Sequence, residues 1–288
     1  MDYHREYLNR PGEHGLRIET FTTADGTPCL VCTPAGKLGE RGEIIRRQLT
    51  DRGSVLAPFG QIRGTLVLVH GRKGRKEDYL PIAERLVAAG FRCVIPDMPA
   101  HGDHPGKIAT YGIREACIPG ESLKQASRKF RFDAQPAGLF GISMGGSVSL
   151  HASGLADAPW RALVIVASFD SLSSVVDDRA GRHLGTTAGS ILSAATREIF
   201  LRKTGVSLAS IRPISYASSL RIPVLIAHGT EDLQVSTACG RRLFDAVPTT
   251  VPSRWVEIQG ADHDNVLITS HPIYADIAEW MIRYVVEP

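Results

Sequence analysis

Ser143 stands in the run Gly141-Ile142-Ser143-Met144-Gly145, directly after the apolar stretch Ala137–Phe140 and before a helical pattern over Ser147–Ser153. A serine on so sharp a strand-to-helix turn is held in a strained backbone conformation, with its hydroxyl pushed clear of the sheet. The bend needs small residues two before and two after, and Gly141 and Gly145 supply them. A plain glycine-rich turn is the bland reading of these residues; the strand before and the helix after favour a nucleophile. A hydroxyl is a weak nucleophile at neutral pH, so it needs a base, and the base needs an orienting acid. His263, in Gly260-Ala261-Asp262-His263-Asp264, follows the last apolar run, where the base falls in the chain order serine, acid, histidine. Asp232, in His228-Gly229-Thr230-Glu231-Asp232, follows the run Val224–Ala227 and is the preferred acid, with Asp170 and Glu231 as rivals. Its loop opens on the sheet edge that carries Ser143. Acyl transfer also needs donors for a developing oxyanion. The backbone N–H of Met144 is one, and that of Arg72, in His70-Gly71-Arg72-Lys73-Gly74 after Leu66–Val69, is the other.

The elements that must position these residues follow a repeated pattern of apolar run, turn and helical stretch. The runs are Leu66–Val69, Cys93–Ile95, Ala137–Phe140, Leu163–Ala167, Val224–Ala227 and Trp255–Ile258. Apart from Glu257 in the last, each is apolar on successive residues rather than alternating, which is how a strand buried on both faces reads, and so predicts a parallel sheet covered by helices. Helical faces fall at residues 78–89, 236–247 and along Ile273, Ile277, Trp280 and Tyr284. Leu16–Thr22 and Pro28–Thr33, joined by Asp25-Gly26, predict an antiparallel hairpin at the sheet edge. The whole reads as one domain over residues 1–288, interrupted by two insertions. Residues 35–63 carry an amphipathic pattern (Ile44, Ile45, Gln48, Leu49) that offers either a homodimer surface or a piece of cleft wall. Residues 170–219 read as a small helical cap over a cleft, with a stripe of Ala188, Ile191, Leu192, Ala195 and Ile199.

Composition narrows the function classes. The chain has 288 residues, 43% hydrophobic and 22% charged, with a net charge of +3 that is too weak to argue for nucleic acid. No run of about 18 apolar residues argues for a membrane span. The opening MDYHREYLNRPGEHG has no apolar core of a secretory signal, and five irregularly spaced cysteines make no disulfide framework. A reduced, cytoplasmic setting is the expectation.

Taken together, His70-Gly71, Asp97-Met98-Pro99-Ala100-His101-Gly102, Gly141–Gly146, the His228–Asp232 run and Gly260–His263 occur in an order that resembles the α/β-hydrolase family. The resemblance covers about residues 65–288 and lies nearest its prolyl-oligopeptidase-like and dienelactone-hydrolase-like esterases. It implies an eight-stranded, mostly parallel sheet, a Ser-Asp-His triad and no cofactor. The 35–63 insertion and the basic stretch after Gly71 depart from the family's general pattern and leave the substrate open.

The function expected is a serine hydrolase of small or medium carboxylic esters, working through an acyl-enzyme. Peptide or amide hydrolysis, and thioester cleavage or acyl transfer, are alternatives for the same residues; a non-catalytic binding module is the reading from another class. The apolar cap residues Ile191, Leu192, Ile199 and Phe200 suggest an apolar acyl or alcohol portion. Arg72, Lys73, Arg75 and Lys76 read as an anion lure or, preferably, as a solvated face balanced by Glu77 and Asp78. Asp97, His101, Asp103 and His104 match no metal-ligand spacing. The pair Cys29 and Cys32, three apart in a strand, point to opposite faces and read as core.

Overall fold

The computed structural model describes residues 3–287. Among these, eight strands form one sheet: Leu16–Thr22 (β1), Pro28–Pro34 (β2), Gly64–Val69 (β3), Phe91–Pro96 (β4), Ala137–Ile142 (β5), Trp160–Val166 (β6), Val224–Gly229 (β7) and Ser253–Ile258 (β8). Their spatial order is β1-β2-β4-β3-β5-β6-β7-β8. The hairpin β1–β2 joins β4 antiparallel, at one edge, and every pairing from β4 to β8 is parallel. The helices are Tyr3–Asn9 (α1), Glu40–Asp51 (α2), Leu80–Ala88 (α3), Ile118–Phe130 (α4), Met144–Ser153 (α5), Leu172–Thr204 (α6), Pro213–Ala217 (α7), Thr237–Ala246 (α8) and Ile273–Met281 (α9).

The unbroken apolar runs are explained by burial on both sheet faces. Leu66 and Leu68 of β3 pack into a core with α2, α3 and α9, while Val67 and Val69 of the same strand pack into a second core with α4, α5 and α8. Cys29 and Cys32 divide in the same way, one into each core, and both are free thiols. The pleat sends successive side chains to opposite faces, so a strand covered by helices on both sides must be apolar throughout.

Two insertions take forms that periodicity alone did not specify. In the 35–63 segment, α2 turns Ile45 and Leu49 into the core, leaves Ile44 facing solvent, and contributes nothing to the walls of the cleft at Ser143. The cap is built around α6. At Gly185 the backbone takes φ 73°, outside helical space, and the helix doubles back on itself. Gly189 then packs against the backbone of Ala180 and Gly181, and Arg197 reaches Asp177 at 2.5 Å. These small residues occupy the inner side of the hairpin. The stripe of Ala188, Ile191, Leu192, Ala195 and Ile199 is therefore outermost, with Ile191 68% and Ile199 53% exposed. The expectation that these isoleucines and Leu192 bear on the substrate is corrected accordingly. An apolar stripe shows that a helix is amphipathic; when the helix bends back on itself, small residues govern the closest contact instead. Among the described residues no helix is long and apolar enough to cross a membrane.

Candidate active site

Ser143 stands between β5 and α5 with φ 53° and ψ −115°, a conformation that costs energy for any residue with a Cβ. Local hydrogen bonds impose it. The Ser143 N–H donates to Val166 O at 2.8 Å, and its carbonyl accepts from Ser168 Oγ at 2.9 Å. The flanking glycines are a steric requirement: a Cβ on Gly141 would run into the Gly145 carbonyl, and one on Gly145 into the Val69 carbonyl. With those contacts met, α5 packs tightly under the turn and the Ser143 hydroxyl faces an open cleft.

Two loops converge on that hydroxyl. The first follows β7. Asp232 Oδ1 accepts from the Gln234 and Val235 N–H groups, each at 2.8 Å, and Oδ2 accepts from His263 Nδ1 at 2.6 Å. The second follows β8, where Asp262 Oδ1 accepts from the Asp264 and Asn265 N–H groups and so forms the tight turn that presents His263. The loops are stitched together by Glu231 N–H to Ala261 O at 2.9 Å and Gly260 N–H to Thr230 Oγ1 at 2.9 Å. His263 Nε2 lies 3.0 Å from Ser143 Oγ, across 120 residues of sequence. The rival acids are elsewhere: Asp170 is held by Arg242 at 2.7 Å and by Ser174 at 3.0 Å, and Glu231 faces solvent.

Charge on Asp232 is secured by its surroundings. Burial alone would push its carboxyl up, but the hydrogen bonds from His228 and His263, together with the Val235 N–H, outweigh it and hold the group far below the usual carboxylate range. His228 is a contributor that motif reading quoted without a role. It is fully buried, with Nε2 at 2.9 Å from Val235 O and 3.2 Å from Asp232 Oδ2. Its signal was the four-residue spacing to Asp232.

The loop after β3 borders Ser143 from the other side. A Cβ placed on Gly71 would come within 3.5 Å of Ser143 Cβ, so the backbone next to Arg72 abuts the turn. Met144 is the first residue of α5, where N–H groups lack intrahelical acceptors. His70 anchors this loop, accepting from the Met98 N–H at 2.9 Å and bonding through Nδ1 to Gly71 O at 2.8 Å. Burial lowers its pKa to about 4, so the ring is neutral at physiological pH. Lys76 anchors it further. Buried rather than solvated, its Nζ meets Asp97 and Glu77 at 2.8 and 2.9 Å and also reaches Asp103. The reading of residues 72–76 as one solvated face is thus corrected for Lys76, and Asp97 is a partner of this ammonium.

The cleft encloses about 570 Å³. Its walls include Ser143, His263, Gly71, Arg72, Tyr111, Phe169 and, from the cap, Leu172, Val175 and Arg179. Tyr111 and Phe169, which no motif pointed to, form an edge-to-face pair with centroids 6.3 Å apart, and Phe200 of the cap packs on Tyr111 from behind. A separate hollow of about 320 Å³ near Cys117 and Trp160 lies at the other ends of the strands and contains none of Ser143, Asp232 and His263.

Residues 60–202 match the family model described as serine aminopeptidase, S33. That span includes Ser143 and ends before Asp232 and His263. No curated protein sequence matches the chain. Among solved structures, the Pyrococcus furiosus esterase Pf2001 superposes with a TM-score of 0.66 at 16% identity, covering 96% of each chain. The Pyrococcus horikoshii acylaminoacyl peptidase gives a TM-score of 0.66 at 13% identity over 100% of this chain and 44% of its own length. DcsB, solved with a substrate analogue, gives a TM-score of 0.63 at 18% identity, over 94% of this chain and 99% of that one. The chain has the fold of the α/β hydrolases, and its residues 60–202 are similar to that family's serine aminopeptidase model.

Proposed function

We propose that the protein is a serine hydrolase of small to medium carboxylic esters. The observation that carries this reading is the unbroken hydrogen-bonded chain from Ser143 Oγ to His263 Nε2, 3.0 Å, and from His263 Nδ1 to Asp232 Oδ2, 2.6 Å. In this mechanism His263 takes the hydroxyl proton as Ser143 attacks the ester carbonyl, and the ionised Asp232 stabilises the imidazolium that forms. The N–H groups of Met144 and Arg72 receive the developing oxyanion. His263 next protonates the departing alcohol, which leaves an acyl group on Ser143. Water, deprotonated by the same imidazole, releases the acid and restores the serine. The chemistry balances without a cofactor.

Amide hydrolysis is a second reading, favoured by the match to the serine aminopeptidase model and by the likeness to an acylaminoacyl peptidase. The two separate on a panel of p-nitrophenyl esters and aminoacyl-p-nitroanilides, combined with fluorophosphonate labelling. Ester turnover and a label on the wild type, both absent in Ser143→Ala, are expected. Turnover of anilides alone would replace the esterase with a peptidase, and a wild type that takes no label would replace catalysis with binding.

A further inference from the structure

The cleft at Ser143 is unevenly charged. Arg72 and Lys73 enter it from the loop after β3, and Arg179 enters from the cap on the far side. Arg179 is there because Leu172, Val175 and Arg179 lie three and then four residues apart, so one face of α6 looks into the cleft. None of these three cations has a carboxylate within 4 Å among the described residues, in a chain where buried and surface ion pairs are otherwise common. The acids nearest Arg179 on its own helix form no ion pair with it. Asp177 is taken by Arg197, and Asp178 lies toward Arg242. Arg72 does bear on a neighbour, the hydroxyl of Tyr111, which is a neutral group.

Two carboxylates also line the cleft, and both are already engaged. Asp78 accepts from the Arg75 N–H at 2.8 Å and meets His4 at 2.9 Å, and Asp264 accepts from Gln234 Nε2 at 3.1 Å. Three cationic side chains against two acidic ones leave the lining one positive charge in excess, counting His263 as neutral. The same walls are apolar at Tyr111, Phe169, Leu172 and Val175. A purely apolar ester would fill those surfaces and leave the cationic rim facing it unused.

We propose that this cleft selects esters bearing one additional ionised carboxyl group, seated between the Arg72–Lys73 loop and Arg179. The inference rests on the ester-hydrolase reading for its catalytic step, though not for the anion site itself. A single carboxylate matches the single excess charge, and guanidinium groups donate to carboxylates in charge-assisted, often paired hydrogen bonds. A half-enclosed cleft with apolar walls focuses that field and raises the local concentration of anionic substrate.

Two matched ester pairs test the proposal. One puts the charge on the acyl side: mono-p-nitrophenyl glutarate against its methyl ester. The other puts it on the leaving group: 4-acetoxybenzoate against methyl 4-acetoxybenzoate. In at least one pair the charged ester is expected to show a kcat/KM about 10-fold or more above its neutral partner, with the advantage shrinking as salt is raised. Lys73→Gln with Arg179→Gln is expected to abolish the preference, bringing the kcat/KM of the charged ester down to that of its neutral partner. Parity within both pairs, or a preference that survives the double substitution, overturns the proposal. Calorimetry on Ser143→Ala, titrated with monomethyl glutarate and with dimethyl glutarate, tests the anion site without turnover. Tighter binding of the monoanion beside a wild type inert to every ester would end the esterase reading and keep the anion site. Equal binding of the two would overturn the anion site.

Discussion

Two structures border the same cleft and are built on opposite principles. The loops after β5, β7 and β8 are held by hydrogen bonds: four contacts fix Asp232, Asp262 closes the turn before His263, and Val166 and Ser168 pin the Ser143 backbone. The cap hairpin of α6 is held by close contact of small residues at Ala180, Gly181 and Gly189, and it leaves Ile191, Leu192 and Ile199 in solvent. The first arrangement suits groups that must meet within tenths of an ångström, because each hydrogen bond removes one direction of movement. The second suits a surface that shapes a volume without touching the bond that breaks. In the proposed reaction, precision at this cleft belongs to the sheet edge, and selectivity to the cap and the β3 loop.

The largest effect that sharpens this contrast is chemical. Asp232→Asn should lower kcat by about 10⁴, because the amide can no longer hold the imidazole in the required tautomer. Thermal unfolding should report a folded protein, and steady-state kinetics on a p-nitrophenyl ester measures the loss. A loss below about 10-fold would show that the hydrogen-bonded loop is scaffolding only.

The next effect is steric. Gly145→Ala forces a methyl into the Val69 carbonyl, a backbone atom that cannot move without shifting β3. Destabilisation of about 3 kcal/mol or more is expected in urea unfolding, together with loss of activity. The equivalent change at the cap bend, Gly185→Ala, meets no neighbouring atom and carries only the backbone penalty of φ 73° with ψ 179°, a region nearly exclusive to glycine, about 2 kcal/mol.

A comparable effect is acid-dependent. His70 is lowered from 6.5 to about 4 by burial, so between those pH values the unfolded chain binds a proton that the folded protein refuses. Stability from this group is thus complete above about pH 6.5 and falls by about 3 kcal/mol in all as the pH drops toward 4. His104 and His151, also lowered by burial, add in the same direction. Denaturant titrations across this range on wild type and His70→Asn isolate the share of His70 as the difference. A pH profile identical in the two proteins would remove His70 from the account.

The smallest effect is expected on the outer cap. Ile191→Gln with Ile199→Gln should change stability by about 0.5 kcal/mol or less and leave kcat/KM unaltered, since both side chains point away from the cleft. A marked change in either quantity would place the outer stripe in contact with something that matters to function, and the contrast between the two regions would fail.

Much of the sheet edge was legible from residues alone, and the reasons are physical. A strand buried on both faces has to be apolar at every position, so Leu66–Val69 and Val224–Ala227 announced themselves and the loops after them were located at once. The strand-to-helix turn at Ser143 requires glycines at fixed offsets, which makes Ser143 conspicuous. Sequence alone separates Asp232 from Asp170 poorly, because both follow strands of the same sheet. The distinction lies in Arg242, which holds Asp170 from 72 residues away. Lys76 looked like one more member of a basic run, and its burial depends on Asp97 and Asp103, more than 20 residues further along.

Local chemistry therefore settled what each short segment had to be: strand, turn, glycine-bounded serine, histidine after the last strand. Those choices depend on sterics and backbone geometry within a few residues. Which way the cap faces, which carboxylate is free to meet the imidazole, and which cations remain without a partner around the cleft are questions of long-range packing and charge pairing. Their answers come from groups far apart along the chain, and they exist only once the sheet has brought those groups together.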